Sequence, residues 1–324
     1  MKILVLGGTK FLGRATVEAA LERGHELTLF NRGETNPTLF PEVEQVRGDR
    51  TKDLSALAGR AWDAVVDPSG YIPAVVQASA EEFRDRVGRY LYVSSISVYA
   101  DFSRGPAEDS PRAALEDGQP DDELMLPGYE NYGALKALAE DAVTNVFGER
   151  ALIVRPGLIV GPHDPTGRFT YWPHRIARGG EFLIPAPPGE LQQFVDVRDL
   201  GDWMVELLEQ GASGPFNATH PGTTRAELVE SATRVSSSDA TPVWTDPDWL
   251  VEQGVGQWME LPLWLHDGDS AGMHRADVSR AIDAGLAFRP LDDVVRGTLD
   301  EAQTTDDAGL APERERELLE AWRA

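Results

Sequence analysis

The stretch that most limits what this chain can fold into lies at its start, "KILVLGGTKFLG", residues 2–13. A short unbroken apolar run closed by glycines reads as a buried parallel strand. The following "FLGRATVEAALERG" sets Leu12, Ala15, Ala19 and Ala20 near one helical face and ends on Gly24, a residue suited to the position just past a helix. "HELTLFNR" then reads as a second strand. The chain therefore opens with a βαβ unit, whose crossover is right-handed.

The alternation continues. "EQVRGD", "WDAVVD", "RYLYVSS" and "RALIVRP" read as strands three to six, with helices expected through "AVVQASAEEFRDR" and "NYGALKALAEDAVTNVFG". Strands alternating with helices predict an α/β fold, a doubly wound parallel Rossmann-type sheet. Beyond residue 160 the rhythm changes to a segment rich in Pro, Gly and aromatics, "GPHDPTGRFTYWPHRIARGGEFLIPAPPGE". "FVDVRDLGDWMVELLEQG" reads as a strand plus helix that rejoins the core. The expected organisation is a dinucleotide-binding domain over residues 1–160 and about 194–217, interleaved with a smaller C-terminal substrate lobe over about 161–193 and 218–290. A helical tail is expected over 291–324. The acidic, proline-bearing loop at 101–128 is too long for a passive connection and reads as a lid or a mobile segment.

Composition narrows the function classes. The 324 residues carry a net charge of −24, a field that opposes general nucleic-acid binding. There is no cysteine, which removes thiolate catalysis and cysteine-ligated zinc, and none of the six histidines stands in a metal-ligand spacing. "LHDGDS" at 265–270 reads as a polar turn, and no metal is expected. No window reaches the roughly 18 apolar residues of a membrane span, and no signal-peptide pattern precedes the first strand. The expectation is a soluble, cytoplasmic protein acting on a small molecule, with no nucleic-acid or membrane partner.

Within the glycine turn, Gly7 and Gly8 allow backbone to approach a pyrophosphate, and Gly13 lets helix and strand pack closely. The helix N-terminus adds oriented N–H groups and a partial positive charge. The second strand ends in Asn31 and Arg32 rather than the carboxylate that accepts the ribose hydroxyls of NAD. A guanidinium there suits a 2′-phosphate. Lys10, in place of the middle glycine, can reach the same ribose. Together Lys10 and Arg32 predict a cationic clamp for NADP(H), with NAD as the alternative. Asp49, at the end of the third strand, is placed to meet adenine, and "DPSG" (Asp67, Pro68, Ser69, Gly70) lets backbone pass beside the cofactor.

"YVSSISVY" ends the fifth strand at the carboxyl edge, where ligands bind in open α/β sheets. "YGALK" puts Tyr132 and Lys136 four apart on one helix face. An ammonium beside a phenol favours the phenolate, so Tyr132 can exchange a proton with a substrate oxygen while hydride moves at carbon. A serine hydroxyl from the fifth strand would polarise that oxygen.

The ordered set "GGTKFLG", "YVSSISVY", "NYGALK", "VRPGLIVGP" and "FVDVRDL" resembles the extended short-chain dehydrogenase/reductase superfamily, in its NAD-dependent epimerase/dehydratase group. The resemblance covers most of the chain through about residue 220. It implies a catalytic triad of Ser95, Tyr132 and Lys136, a pyrophosphate turn built on Gly7, Gly8, Thr9, Lys10, Phe11, Leu12 and Gly13, and cofactor contacts at Val93 and Pro156. Lys10 is shared with relatives resembling chloroplast stem-loop RNA-binding proteins. Ile96 and Ser97 stand where sugar dehydratases carry an acid pair, which argues against elimination of water. The segment between Ser95 and Tyr132 is longer than the family uses.

For the substrate side, Tyr99, His163, Arg168, Trp172 and Arg175 are nominated. The competing view is that Tyr171 and Trp172 are lobe core and Arg175 a surface ion pair. The expected function is an NADP(H)-dependent oxidoreductase acting on a carbonyl or secondary alcohol. The alternatives are a nucleotide-sugar epimerase with tightly bound NAD(P) and a non-catalytic NADP-sensing or RNA-binding protein. By resemblance a homodimer through helices 73–86 and 130–147 is an expectation, although their apolar faces could equally pack on the sheet.

Overall fold

The computed structural model describes residues 1–115, 131–266, 268, 270, 272–305 and 307–324. The opening βαβ unit is β1 (Lys2–Leu6), α1 (Phe11–Glu22) and β2 (Glu26–Asn31). The apolar face of α1 is buried as the pattern requires, and Gly24 takes the left-handed conformation (φ 76°) that ends the helix. Then come β3 (Glu44–Arg47), β4 (Trp62–Asp67), α2 (Pro73–Phe83), β5 (Val87–Val93), α3 (Tyr132–Phe147) and β6 (Ala151–Pro156).

A seventh strand, which the sequence pattern does not mark, completes the main sheet. β7 (Leu158–Val160), β8 (Glu181–Pro185), β9 (Leu191–Gln192) and β10 (Phe194–Asp196) all stand outside it, β10 pairing in parallel with β7. The edge strand is β11 (Gly214–Ala218), which pairs with β6. "GPFNA" hides this role because Gly and Pro weaken a strand pattern, and an edge position tolerates both. The resulting order is β3-β2-β1-β4-β5-β6-β11, with every neighbour parallel.

Helices cover both faces. α5 (Val197–Gln210) packs along α1 on one side. Their approach is close because Gly201 faces the α1 backbone: a Cβ there would lie 2.9 Å from the Ala15 carbonyl carbon. On the other face α2 and α3 pack side by side and send Val76, Ala80, Phe83, Ala139, Val143 and Phe147 into one core with β4 and β5. These apolar side chains of the two helices pack within the chain.

The remaining elements are β12 (Thr223–Thr224), α4 (Tyr171–Ala177), α6 (Arg225–Ser236), β13 (Thr241–Thr245), α7 (Pro247–Glu252), α8 (Ser279–Asp283), α9 (Leu291–Glu301) and α10 (Pro312–Arg323). A second core joins β7, β8 and α4 to α6, with Val294, Val295, Leu318 and Leu319 from α9 and α10. The C-terminal helices are therefore part of that core rather than a free tail. α6 begins with a reciprocal capping box between Thr224 and Glu227.

Residues 101–115, the first part of the loop expected as a lid or a mobile segment, are docked on the rest of the chain. Arg155 donates to the Glu108 carbonyl at 2.9 Å, Arg112 pairs with Glu140 and Asp141, and the Asp277 N–H meets the Pro106 carbonyl. Residues 116–128 of the same loop, like Asp267 and Asp269 of the 265–270 turn, lie outside the described residues. Among the described residues no helix is long and apolar enough to cross a membrane, and no cluster of His and acidic side chains could hold a metal.

Candidate active site

The glycine turn is built around two close approaches and two positive-φ glycines. Gly7 (φ 125°) and Gly8 (φ 93°) take conformations that L side chains avoid. A Cβ on Gly8 would lie 2.9 Å from Leu29, and one on Gly13 would lie 3.1 Å from the Gly8 backbone nitrogen. No side chain caps α1, and its first turn holds no acid. Its leading N–H groups are left for an anion. These residues fit a dinucleotide's pyrophosphate. Leu12 is buried in the core, so there the backbone rather than the side chain faces the turn, and Phe11 (φ 41°) is partly buried against that core.

The loop after β2 is tied to this turn. Thr9 Oγ1 donates to the Thr35 carbonyl at 2.8 Å, and Asn36 Nδ2 donates to the Thr9 carbonyl at 2.8 Å. Between them opens a cleft of about 450 Å³ lined by Lys10, Phe11, Arg14, Thr35, Asn36, Thr38, Leu39 and His163. Lys10 therefore faces an open cleft at the helix N-terminus. His163, nominated for substrate, lies on this side and pairs with Glu301 at 3.1 Å. Arg32 is exposed, pairs with Glu34 at 3.1 Å and is not among the residues of that cleft.

Asn31 is committed to the backbone. It donates to the Gly7 carbonyl at 3.1 Å and accepts from the Gly33 N–H at 2.9 Å. Sequence reasoning missed Arg47, the register partner of Asn31 on β3. Its guanidinium bonds Asn31 and lies over Gly33, where a Cβ would be 3.1 Å from it. An arginine ending a short strand carries no pattern of its own; only the pairing of β2 with β3 brings it beside Asn31 and Gly33. Asp49 accepts from the N–H and hydroxyl of Thr51, which hold its carboxyl below the ordinary range.

The "DPSG" turn meets the glycine turn through Pro68 and Ser69, which sit beside Gly7, while Ser69 Oγ donates to the Leu6 carbonyl at 2.9 Å. The Asp67 carboxylate does not face it. It is fully buried, holds Arg50 at 2.6 and 2.8 Å and accepts from Tyr90 at 2.9 Å. Burial alone would raise that carboxyl; the Arg50 charge and its hydrogen bonds outweigh it and hold it low. Gly70 contributes its carbonyl, and a Cβ there would crowd Val76, Tyr92 and Asp67 at 2.7 to 2.9 Å.

The triad residues come from two elements pressed together. Ser95 lies two residues past β5 and caps a 3-10 turn at Ile96–Val98; its Oγ accepts from Ser97 N–H and donates to Ser97 Oγ, both at 3.0 Å. α3 begins at Tyr132. The contact is set by Gly133, where a Cβ would lie 2.0 Å from the Ser97 carbonyl oxygen, so only glycine lets the start of α3 meet the turn after Ser95. One turn on, Lys136 is buried and donates to the carbonyls of Gly70 (2.9 Å) and Val93 (2.7 Å). Desolvation pushes its ammonium down to about 7, against the pull of Asp67 and Glu140. Ser95, Tyr132, Lys136, Val93, Gly70 and the glycine turn thus gather at the carboxyl edge of β1, β4 and β5. Pro156 ends β6 in the same row and pairs in register with Ala218.

The substrate nominees scatter. Tyr99 is buried, donating to Asn217 and accepting from Arg155, which in turn forks onto Glu140 at 2.8 and 2.7 Å. Trp172 is buried and donates to the Pro262 carbonyl; Arg175 is buried and pairs with Glu315 at 2.7 Å. Trp172 and Arg175 hold the lobe together, while Tyr99 joins the loop after β5 to β6 and β11 of the main sheet. Arg168 lies over the Trp258 ring at 5.3 Å.

Residues 3–219 match the model of the NAD dependent epimerase/dehydratase family. Among curated relatives, the chain is 31% identical over 187 residues to 2-alkyl-3-oxoalkanoate reductase of Stenotrophomonas maltophilia, covering 51% of this chain and 52% of that one. It is 25% identical to 2'-dehydrokanamycin reductase of Streptomyces kanamyceticus (78% and 72% covered). It is 24% identical to the chloroplast stem-loop binding protein of 41 kDa b of Arabidopsis thaliana (67% and 58%). The chain thus spans little more than half the length of two of these relatives. In fold it is similar to UDP-glucuronic acid 4-epimerase from Bacillus cereus in complex with NAD, at TM-score 0.66 and 17% identity, covering 93% and 98% of the two chains. It is likewise similar to the Bordetella bronchiseptica enzyme WbmH in complex with NAD+ (TM-score 0.67, 19% identity, 92% and 97%).

Proposed function

The chain belongs to the NAD dependent epimerase/dehydratase family, and we propose that within it this protein is an NADP(H)-dependent oxidoreductase acting on a carbonyl or secondary alcohol of a small molecule. The observation that carries the reading is the seating of α3: Gly133 against the Ser97 carbonyl sets Tyr132 beside the Ser95 turn, with Lys136 buried one turn behind. A bound dinucleotide supplies or accepts the hydride. In the reducing direction Ser95 donates a hydrogen bond to the substrate oxygen, and Tyr132 delivers the proton that oxygen needs as carbon receives the hydride. Lys136 favours the phenolate left behind. Two of the relatives are named as reductases, which supports this over an epimerase.

The preference for NADP(H) rests on charge. The end of β2 offers no carboxylate to the ribose, while Lys10 faces the cleft beside the turn and Arg32 and Arg47 stand exposed next to Asn31. A net charge of −24 on this chain opposes a polyanion, which weighs against the RNA-binding alternative.

Two measurements test the proposal. Tyr132→Phe is expected to lower kcat/KM by about two to four orders of magnitude with NADPH affinity kept; undiminished turnover refutes the assignment. Calorimetric titration with NADPH and NADH is expected to show an NADPH preference that collapses in the Lys10→Gly, Arg32→Asp double variant. Equal affinities in the parent protein refute the clamp and move the epimerase reading forward.

A further inference from the structure

Lys136 is held by more than two carbonyls. Its ammonium lies over the face of Tyr92, 4.4 Å from the ring centre, and over the face of Tyr71 at 5.3 Å. Tyr92 is fully buried on β5, and its hydroxyl donates to the same Gly70 carbonyl that accepts from Lys136. Tyr71 follows the "DPSG" turn and is 49% exposed. The charged and titratable groups acting on the ammonium come from several elements: Asp67 on β4, Glu140 on α3, and Arg50, which opposes them. Neither carboxylate pairs with it directly, since Asp67 is taken by Arg50 and Glu140 by Arg155 and Arg112. A buried ammonium that forms no ion pair among the described residues is a species that aromatic faces stabilise, because the ring quadrupole presents negative charge without itself needing solvation.

We infer that Tyr71 and Tyr92 form an aromatic cage that keeps the Lys136 ammonium charged and in place, which makes both of them positioning residues for the acid–base site. The inference rests on the reading of Lys136 as a catalytic group. Tyr92 closes the inner side and also fixes the Gly70 carbonyl; Tyr71 closes the outer side, at the cofactor turn. Nothing in the sequence pattern marks either one, because Tyr92 reads as strand interior and Tyr71 as loop.

The chain has four lysines, Lys2, Lys10, Lys52 and Lys136, so side-chain NMR of lysine-labelled protein resolves Lys136 once Lys136→Met identifies its signal. Tyr71→Leu is expected to lower the Lys136 titration midpoint by about half to one pH unit, roughly three- to tenfold in ionisation constant. Tyr71→Phe, which keeps the ring, should leave it where it is. Tyr92→Phe should likewise hold the midpoint although it removes a hydrogen bond. An unchanged midpoint in folded Tyr71→Leu overturns the cage, as does an equal shift in Tyr71→Phe. Because the readout is the proton on Lys136 and not turnover, the cage can fail while Tyr132→Phe is inactive. Conversely, an active Tyr132→Phe would overturn the catalytic reading and leave the cage standing.

Discussion

Replacing Lys136 by Met removes the most strongly desolvated cation of the site while nearly keeping its volume. In the folded protein burial brings this ammonium from 10.5 to about 7, so between those values the unfolded chain binds a proton that the folded chain does not. Stability therefore rises with pH across that window, and the cost is fully present below about 7, where the charge stays buried. The whole gap corresponds to about 5 kcal/mol, of which about 3 kcal/mol falls between pH 6 and 9, below the range where exposed tyrosines titrate. Met also leaves the carbonyls of Gly70 and Val93 without this donor, a loss of about 1 kcal/mol each, but that offset does not depend on pH. Urea unfolding of both proteins at several pH values isolates the group, since every other titration is common to the pair. The expected result is that the stability of the parent relative to Lys136→Met rises by about 3 kcal/mol from pH 6 to 9. A difference that stays flat across that range would refute the argument that desolvation governs this lysine.

Two further outcomes follow from contacts elsewhere in the site. Gly133→Ala puts a Cβ 2.0 Å from the Ser97 carbonyl, so α3 and the Ser95 turn must separate by an ångström or so; kcat should fall about a hundredfold with NADPH affinity little changed, and an unaffected kcat would show that this seating does not matter. Glu140→Gln strands Arg155, which is buried and forked onto that carboxylate, and should cost about 3–5 kcal/mol in urea unfolding; a loss under 1 kcal/mol would mean Tyr99 and the Glu108 carbonyl suffice.

Much of the architecture was legible in local pattern. Apolar runs closed by glycine, alternating with 3.6-period segments, placed six strands and their helices, because buried parallel strands and amphipathic helices advertise themselves over a few residues. β11 escaped because its register comes from β6 rather than from its own composition. The site divides the same way. The glycine turn and the Tyr132/Lys136 spacing are written within single elements, and the structure gathers them as their spacing implies. Arg47, Tyr71, Tyr92 and the exact fit of Gly133 are not, since each acts across a pairing of distant segments.

The nominated substrate residues draw the boundary most clearly. Trp172 and Arg175 looked like ligand-facing groups because an aromatic and a cation in a Pro/Gly-rich insertion can serve either a pocket or a core. Only packing distinguishes the two, and here Glu315, more than a hundred residues on, claims Arg175, while the Pro262 carbonyl claims Trp172. Local sequence carries the short-range features whose physics is complete within one strand, turn or helix. The tertiary structure decided which buried charges find partners and which are left to the site, because desolvation and pairing depend on what folding brings from elsewhere in the chain.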